Sequence, residues 1–247
     1  MTKSNLLPLS VAGRDALVRQ RLDQTTNSKV TSLLVTDLNN IRWLTGFTGS
    51  AGTLIVRPDD MVLIVDGRYG DQSREQTIGS HAQCSVIEGR SAAELREGVL
   101  HTTKELKTIG FDPSEMTVTA HETMTAQIDA ELVKVSAVVP HLRRRKSEPE
   151  IQRMELAASA TDAALGEVEP MLVLGLTERD IRDELDYRMR KHGAEFTSYD
   201  TIVASGPNAA RPHHRPVARK IVEGDSVVID VGGLVDGYHS DMTRTYL

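Results

Sequence analysis

The chain has 247 residues, 39% hydrophobic and 26% charged, which is the make-up of an ordinary globular protein with one large domain or two smaller ones. Its formal charge of −6 argues against nucleic acid or an anionic membrane as the main partner. A lone cysteine, Cys84, excludes an intrachain disulfide, and no run approaches the roughly 20 apolar residues of a membrane span, so a cytoplasmic protein is expected.

Met1 to Gly13 is too short and interrupted for a signal sequence. Val30 to Val35 reads as a strand, and Met61 to Val65 as a strand buried on both faces. Gln83 to Ile87 and Thr108 to Phe111 are weaker strands, with helical composition over Ala92 to Lys104 and Ala120 to Ala130. Strands interleaved with helices imply an α/β layer structure. The spaced glycines Gly46, Gly49 and Gly52 lack the GK[ST] of a phosphate loop and read as turn and packing positions, and Trp43 reads as core.

The basic run Arg143-Arg144-Arg145-Lys146 follows Pro140 and reads as a solvated linker, with a phosphate-binding patch as the lesser alternative. Ser147-Glu148-Pro149-Glu150 then has the form of a capping box, and the helix it opens places Ile151, Met154, Ala158 and Leu165 on one face. A second helix opens at Thr177, buries Ile181, Leu185 and Met189, and stops at Gly193.

From Ser226 to Gly232 and from Gly237 to Thr245 the chain is strand-like, with turn-forming residues between. A turn centred on Val235-Asp236 sets Asp230 directly opposite Asp241. A turn centred on Asp236-Gly237 sets Asp241 opposite Gly232, two residues from Asp230. In both cases the two carboxylates leave the same face, and only a slip or a bulge separates them. Two ionised carboxylates so close repel unless one is protonated or cations lie between them. The plainer alternative is a polar sheet face beside a turn. Upstream, Pro212-His213-His214 lies in a loop bounded by Gly206-Pro207-Asn208 and Pro216. Loop histidines are usually exposed and idle, yet an imidazole near such a pair can donate to a substrate carbonyl.

Together these residues resemble the Xaa-Pro aminopeptidases and Xaa-Pro dipeptidases. The resemblance runs through Asp200-Thr201-Ile202-Val203-Ala204-Ser205-Gly206-Pro207-Asn208, Pro212-His213, Ile229-Asp230-Val231-Gly232 and Ser240-Asp241-Met242-Thr243-Arg244-Thr245. In the first half it runs through Asn40-Ile41-Arg42-Trp43-Leu44-Thr45-Gly46-Phe47-Thr48-Gly49-Ser50-Ala51-Gly52 and Asp66-Gly67-Arg68-Tyr69. It covers the chain from about Leu17 onward.

The resemblance implies an α/β protein. Residues 12–142 would form a creatinase-type N-terminal domain, and 147–247 the first half of a pita-bread α+β catalytic domain. It implies two divalent metal ions, manganese in this family, with Asp230 and Asp241 as ligands and Asp241 bridging. His213 would be the catalytic residue on the substrate side. Peptides with proline at the second position would be the substrates, and the full-length form a homo-oligomer. The family's remaining histidine and two glutamates have no counterpart after Asp241, so the chain is expected to be an inactive N-terminal fragment. Arg211 departs from the family's common leucine. The competing readings are a creatinase-like amidinohydrolase, which uses this fold without metal, and a non-catalytic peptide-binding module such as the inactive version in histone-chaperone subunits.

Overall fold

The computed structural model describes residues 6–173 and 175–247. It divides into two units: Pro8–Arg145, and Lys146–Leu247 together with Leu6 and Leu7.

The first unit contains α1 (Arg14–Thr26), β1 (Leu33–Val35), α2 (Leu38–Thr45), β2 (Thr53–Val56), β3 (Met61–Asp66), α3 (Gly70–Gly79) and β4 (Cys84–Gly89). It continues with α4 (Ala92–Thr103), β5 (Thr108–Phe111), α5 (Val118–Gln127), β6 (Glu131–Lys134) and α6 (Val138–Arg143). Its six strands form one mixed sheet in the order β4-β3-β2-β1-β5-β6, so the predicted strands around Val35 and Met61 share a sheet. Successive residues of β3 point to opposite faces, and both faces are covered. Met61, Leu63 and Val65 join Val18, Leu22, Ile41, Leu44 and Val138 in one cluster. Val62 and Ile64 join Val99, Ile109 and Phe111 in the other. Burial on two sides explains why β3 reads as a continuous apolar run rather than an alternating one. The predicted strand from Val30 is shorter than expected. Its first residues leave the C-terminus of α1, where Asn27 and Ser28 adopt positive φ.

The second unit begins with α7 (Glu148–Val168), a 3-10 turn (Glu169–Val173) and α8 (Glu178–Lys191). Both helices open with capping boxes. Ser147 N donates to Glu150 Oε2 at 2.8 Å, and Thr177 N to Asp180 Oδ2 at 2.8 Å. On α8 the predicted Ile181, Leu185 and Met189 are all buried. On α7 the expected face is corrected. Of the expected residues Leu165 is buried, but Ala158 is half-buried and Ile151 and Met154 are 39% and 37% exposed, and the buried face also takes Arg153, Leu156, Ala157, Ala160, Thr161, Ala164 and Val168. Small residues on that stripe let neighbouring backbone approach closely, which a stripe of isoleucine and methionine would not.

The strands β7 (Phe196–Thr197), β8 (Ile202–Ser205), β9 (Val227–Val231), β10 (Gly233–Val235), β11 (Tyr238–His239) and β12 (Met242–Tyr246) follow, with a 3-10 turn over Gly206–Ala210. They form two small sheets, β12-β9-β8 and β11-β10-β7. One long hairpin runs through both sheets. Its two-residue turn is Asp236-Gly237, with φ of 45° and 77°, the type I′ geometry for which Asp-Gly is suited.

Candidate functional site

The Asp236-Gly237 turn decides the register. Val235 pairs with Tyr238, and the same count continues along the hairpin to Asp230 opposite Thr243 and Met242 opposite Val231. Asp241 therefore lies on the row of Gly232, one diagonal step from Asp230 and on its face. In β9 the apolar Val227, Ile229 and Val231 are buried in the core, while Asp230 alternates to the half-buried side.

Both carboxylates meet one phenol. Tyr199 Oη donates to Asp230 Oδ1 at 2.5 Å and lies 2.9 Å from Asp241 Oδ1, so the two oxygens are no more than 5.4 Å apart. Burial, followed by hydrogen bonding to Asp230 and Asp241, pushes the Tyr199 hydroxyl well above its ordinary range and keeps it a donor. Sequence reasoning missed Tyr199, and its strand shows why. Thr197 pairs with Gly233 and Ile202 with Asp230, so five steps on the strand of Tyr199 face three on its partner. The two extra residues form a bulge that re-aims the tyrosine.

A buried hydroxyl cluster fixes the bend beside these groups. Ser240 Oγ lies 2.8 Å from Thr161 Oγ1 and accepts from Gly233 N at 2.9 Å. Ser198 Oγ reaches the carbonyls of Gly233 and Ser240, at 2.9 and 2.8 Å. Ser198 and Ser240 immediately precede Tyr199 and Asp241, so the cluster sets where both emerge.

The two histidines part company. His213 is exposed, in a turn, and makes no hydrogen bond with another described residue. His214 is buried, with Nε2 2.8 Å from Glu178 Oε2. Glu178 was legible only as a first-turn residue of α8; it is in fact wholly buried.

The residues present fit part of a metal site. Asp230 and Asp241 offer hard oxygen ligands of the kind manganese, magnesium and zinc accept, and Oδ2 of each makes no hydrogen bond with a described residue. Among the described residues no group of three or more His, Cys, Asp or Glu is placed to hold an ion.

Comparison with known proteins identifies both halves of the chain. Residues 18–145 match the Creatinase/Prolidase N-terminal domain, and residues 152–247 match Metallopeptidase family M24. An uncharacterized peptidase, YqhT of Bacillus subtilis, is 35% identical over 87% of this chain and 60% of its own length. The Xaa-Pro dipeptidase from Bacillus anthracis superposes with a TM-score of 0.88 at 30% identity, over 96% of this chain and 64% of that one. The X-Pro aminopeptidase from Thermotoga maritima gives 0.79 at 27% identity, over 87% and 61%. The chain thus spans about three fifths of the length of these relatives. It is built as a creatinase-type α/β unit followed by part of a pita-bread domain, and it belongs to the M24 metallopeptidases that carry a creatinase/prolidase N-terminal domain.

Proposed function

We propose that the protein hydrolyses the peptide bond preceding a penultimate proline, using two divalent ions, manganese by preference. The observation that carries this reading is the placement of Asp230 and Asp241 on one sheet face with a shared phenol. Relatives described as Xaa-Pro dipeptidase and X-Pro aminopeptidase support the substrate class.

Asp230 and Asp241 would hold the metal. Bound divalent ions supply Lewis-acid polarisation of a carbonyl and stabilise the charge that develops on its oxygen. Tyr199 orients the carboxylates, since its one hydroxyl proton lies between Oδ1 of Asp230 and Oδ1 of Asp241 and leaves Oδ2 of each open for ligation. The exposed imidazole of His213 donates to the substrate and positions it. Two carboxylates fall short of the ligand count of a working two-metal centre, so residues 1–247 alone bind metal weakly and do not turn over.

The test is a manganese-dependent assay on an Xaa-Pro peptide. It compares residues 1–247 with a form completed to the length of the relatives. The completed form hydrolyses the peptide, the shorter one does not, and Asp241→Ala in the completed form abolishes turnover. Robust hydrolysis by residues 1–247 would show that other residues make the site. Failure of the completed form, with its metal bound, would overturn the Xaa-Pro reading.

A further inference from the structure

From Gly206 to Val217 the chain has no regular structure beyond the 3-10 turn and a turn at Pro212-His213. Ordering such a segment costs conformational entropy and leaves its backbone polar groups to be satisfied. One buried side chain answers both needs. Glu178, the first residue of α8, is fully buried and receives five hydrogen bonds. Oε1 accepts from Ser205 N at 2.8 Å, Ser205 Oγ at 2.8 Å and Asn208 Nδ2 at 3.0 Å. Oε2 accepts from Val217 N at 3.0 Å and meets His214 Nε2 at 2.8 Å. An ionised carboxylate only accepts, so His214 carries its proton on Nε2. The donors come from the last residue before the loop, its first turn, its middle and its end. A single carboxylate therefore closes the loop on itself. Arg219 reinforces the closure, donating to Ser205 Oγ at 2.7 Å and to the Asp225 carboxylate at 2.5 and 2.8 Å.

Resting on the substrate-side role given to His213 above, we propose that Glu178 and His214 are positioning residues for His213. The two adjacent histidines divide the work. His214 turns inward to anchor on Glu178, and this anchorage leaves His213 facing outward with its imidazole uncommitted. The arrangement needs the charge and not only the shape of Glu178. A glutamine there must direct its NH2 either at Ser205 and Asn208 or at His214 and Val217, and all four already present donors.

The experiment compares wild type with Glu178→Gln, His214→Gln and His214→Leu. Amide hydrogen exchange over 205–217 and the imidazole NMR signals of His213 are recorded on residues 1–247, and kcat and KM on the completed form. Glu178→Gln should speed exchange across 205–217 by roughly tenfold or more while α7 keeps its protection, and should shift the His213 signals. His214→Gln, which keeps a donor, should fall nearer wild type than His214→Leu. In the completed form Glu178→Gln should lower kcat/KM by roughly tenfold with metal content unchanged. Unchanged loop exchange and unchanged His213 signals would overturn the proposal. So would a uniform loss of protection across α7 and β9, which marks a residue of general stability. If Glu178→Gln does not fold, Asn208→Ala removes one donor, leaves four, and is judged by the same loop readout. A loosened loop in a completed form that never cleaves Xaa-Pro peptides supports the positioning of His213 and counts against the peptidase reading alone.

Discussion

Gly232 packs against the carbonyl oxygen of Ser240, so closely that a Cβ at position 232 would overlap that oxygen. It would also stand 2.9 Å from Ser198 Oγ and 3.0 Å from Ser198 Cβ. The backbone of the hairpin bends here, between the two small sheets and beside Asp241. Gly232→Ala cannot be relieved by moving a flexible side-chain tip, because the obstacle is backbone. It should destabilise the second unit by about 1–3 kcal/mol or more, read from the urea midpoint. Gly166→Ala is the contrasting control. It lies in α7 with nothing within 4 Å of its added Cβ, and should stabilise by roughly 0.5–1 kcal/mol.

Tyr199 Oη lies within hydrogen-bond distance of both Asp230 and Asp241 and has one proton to share between them, so its removal should be felt through both. Tyr199→Phe leaves two neighbouring carboxylates without that donor, at a cost of about 1–3 kcal/mol. Asp230→Asn relieves the like-charge repulsion and changes what the tyrosine can do. A double-mutant cycle on Tyr199→Phe and Asp230→Asn should therefore show a coupling of about 1 kcal/mol or more by chemical denaturation. Additive effects would show that the shared hydrogen bonds are not what links the pair.

How far the site was legible depends on how local each constraint is. The common face of Asp230 and Asp241 follows from the Asp236-Gly237 turn and the two-residue period of strands, both present in the text of the chain. Of the two registers considered, the structure has the one with Asp241 opposite Gly232. Tyr199 depends on a bulge two residues long, and nothing in the alternation of Ser198 to Thr201 marks it. Glu178 shows in sequence only as an acidic residue in a helix first turn, a role that needs no burial. It becomes a buried hub because a loop some thirty residues later closes over it. The buried face of α7 misled in another way. Leu165 is buried as its spacing predicts, but the unit turns the alanine and threonine stripe with Leu156 and Val168 inward and leaves Ile151 and Met154 outside.

Acid should loosen the second unit through Glu178. Burial alone would raise its pKa, but hydrogen bonds from Asn208, Val217, His214 and Ser205 overcome that and hold it at about 2. The folded value lies below the unfolded one, so the stabilisation is fully present above the unfolded pKa. It is lost as pH falls through the window from about 4.5 to about 2. For a fully buried carboxylate the contribution is on the order of 3 kcal/mol. Urea unfolding between pH 6 and pH 2.5 should show this slope, and Glu178→Gln should flatten it while lowering stability at pH 6. An equal slope in the variant would place the acid sensitivity elsewhere.

The turn of the hairpin is held from α7. Arg153 is buried, and its Nε donates to Asp236 Oδ2 at 2.6 Å while Nη1 donates to the carbonyls of Pro149 and Leu7, at 2.8 and 3.1 Å. Asp236 has two duties, since it also adopts the positive φ of the type I′ turn. Asp236→Asn keeps the conformation, which asparagine tolerates well, and removes the charge facing Arg153. Its cost isolates the charge of the pair and should be about 1 kcal/mol, because Asp236 is half-exposed and Arg153 keeps the carbonyls of Pro149 and Leu7. Asp236→Ala adds backbone strain and should cost roughly 1 kcal/mol more. Arg153→Met removes the buried charge together with its partner's need for it, and should be milder than Asp236→Ala. Urea unfolding of the three variants orders these contributions. If Asp236→Asn matches wild type, the bridge contributes nothing and the Asp-Gly turn alone sets the register that brings Asp241 beside Asp230.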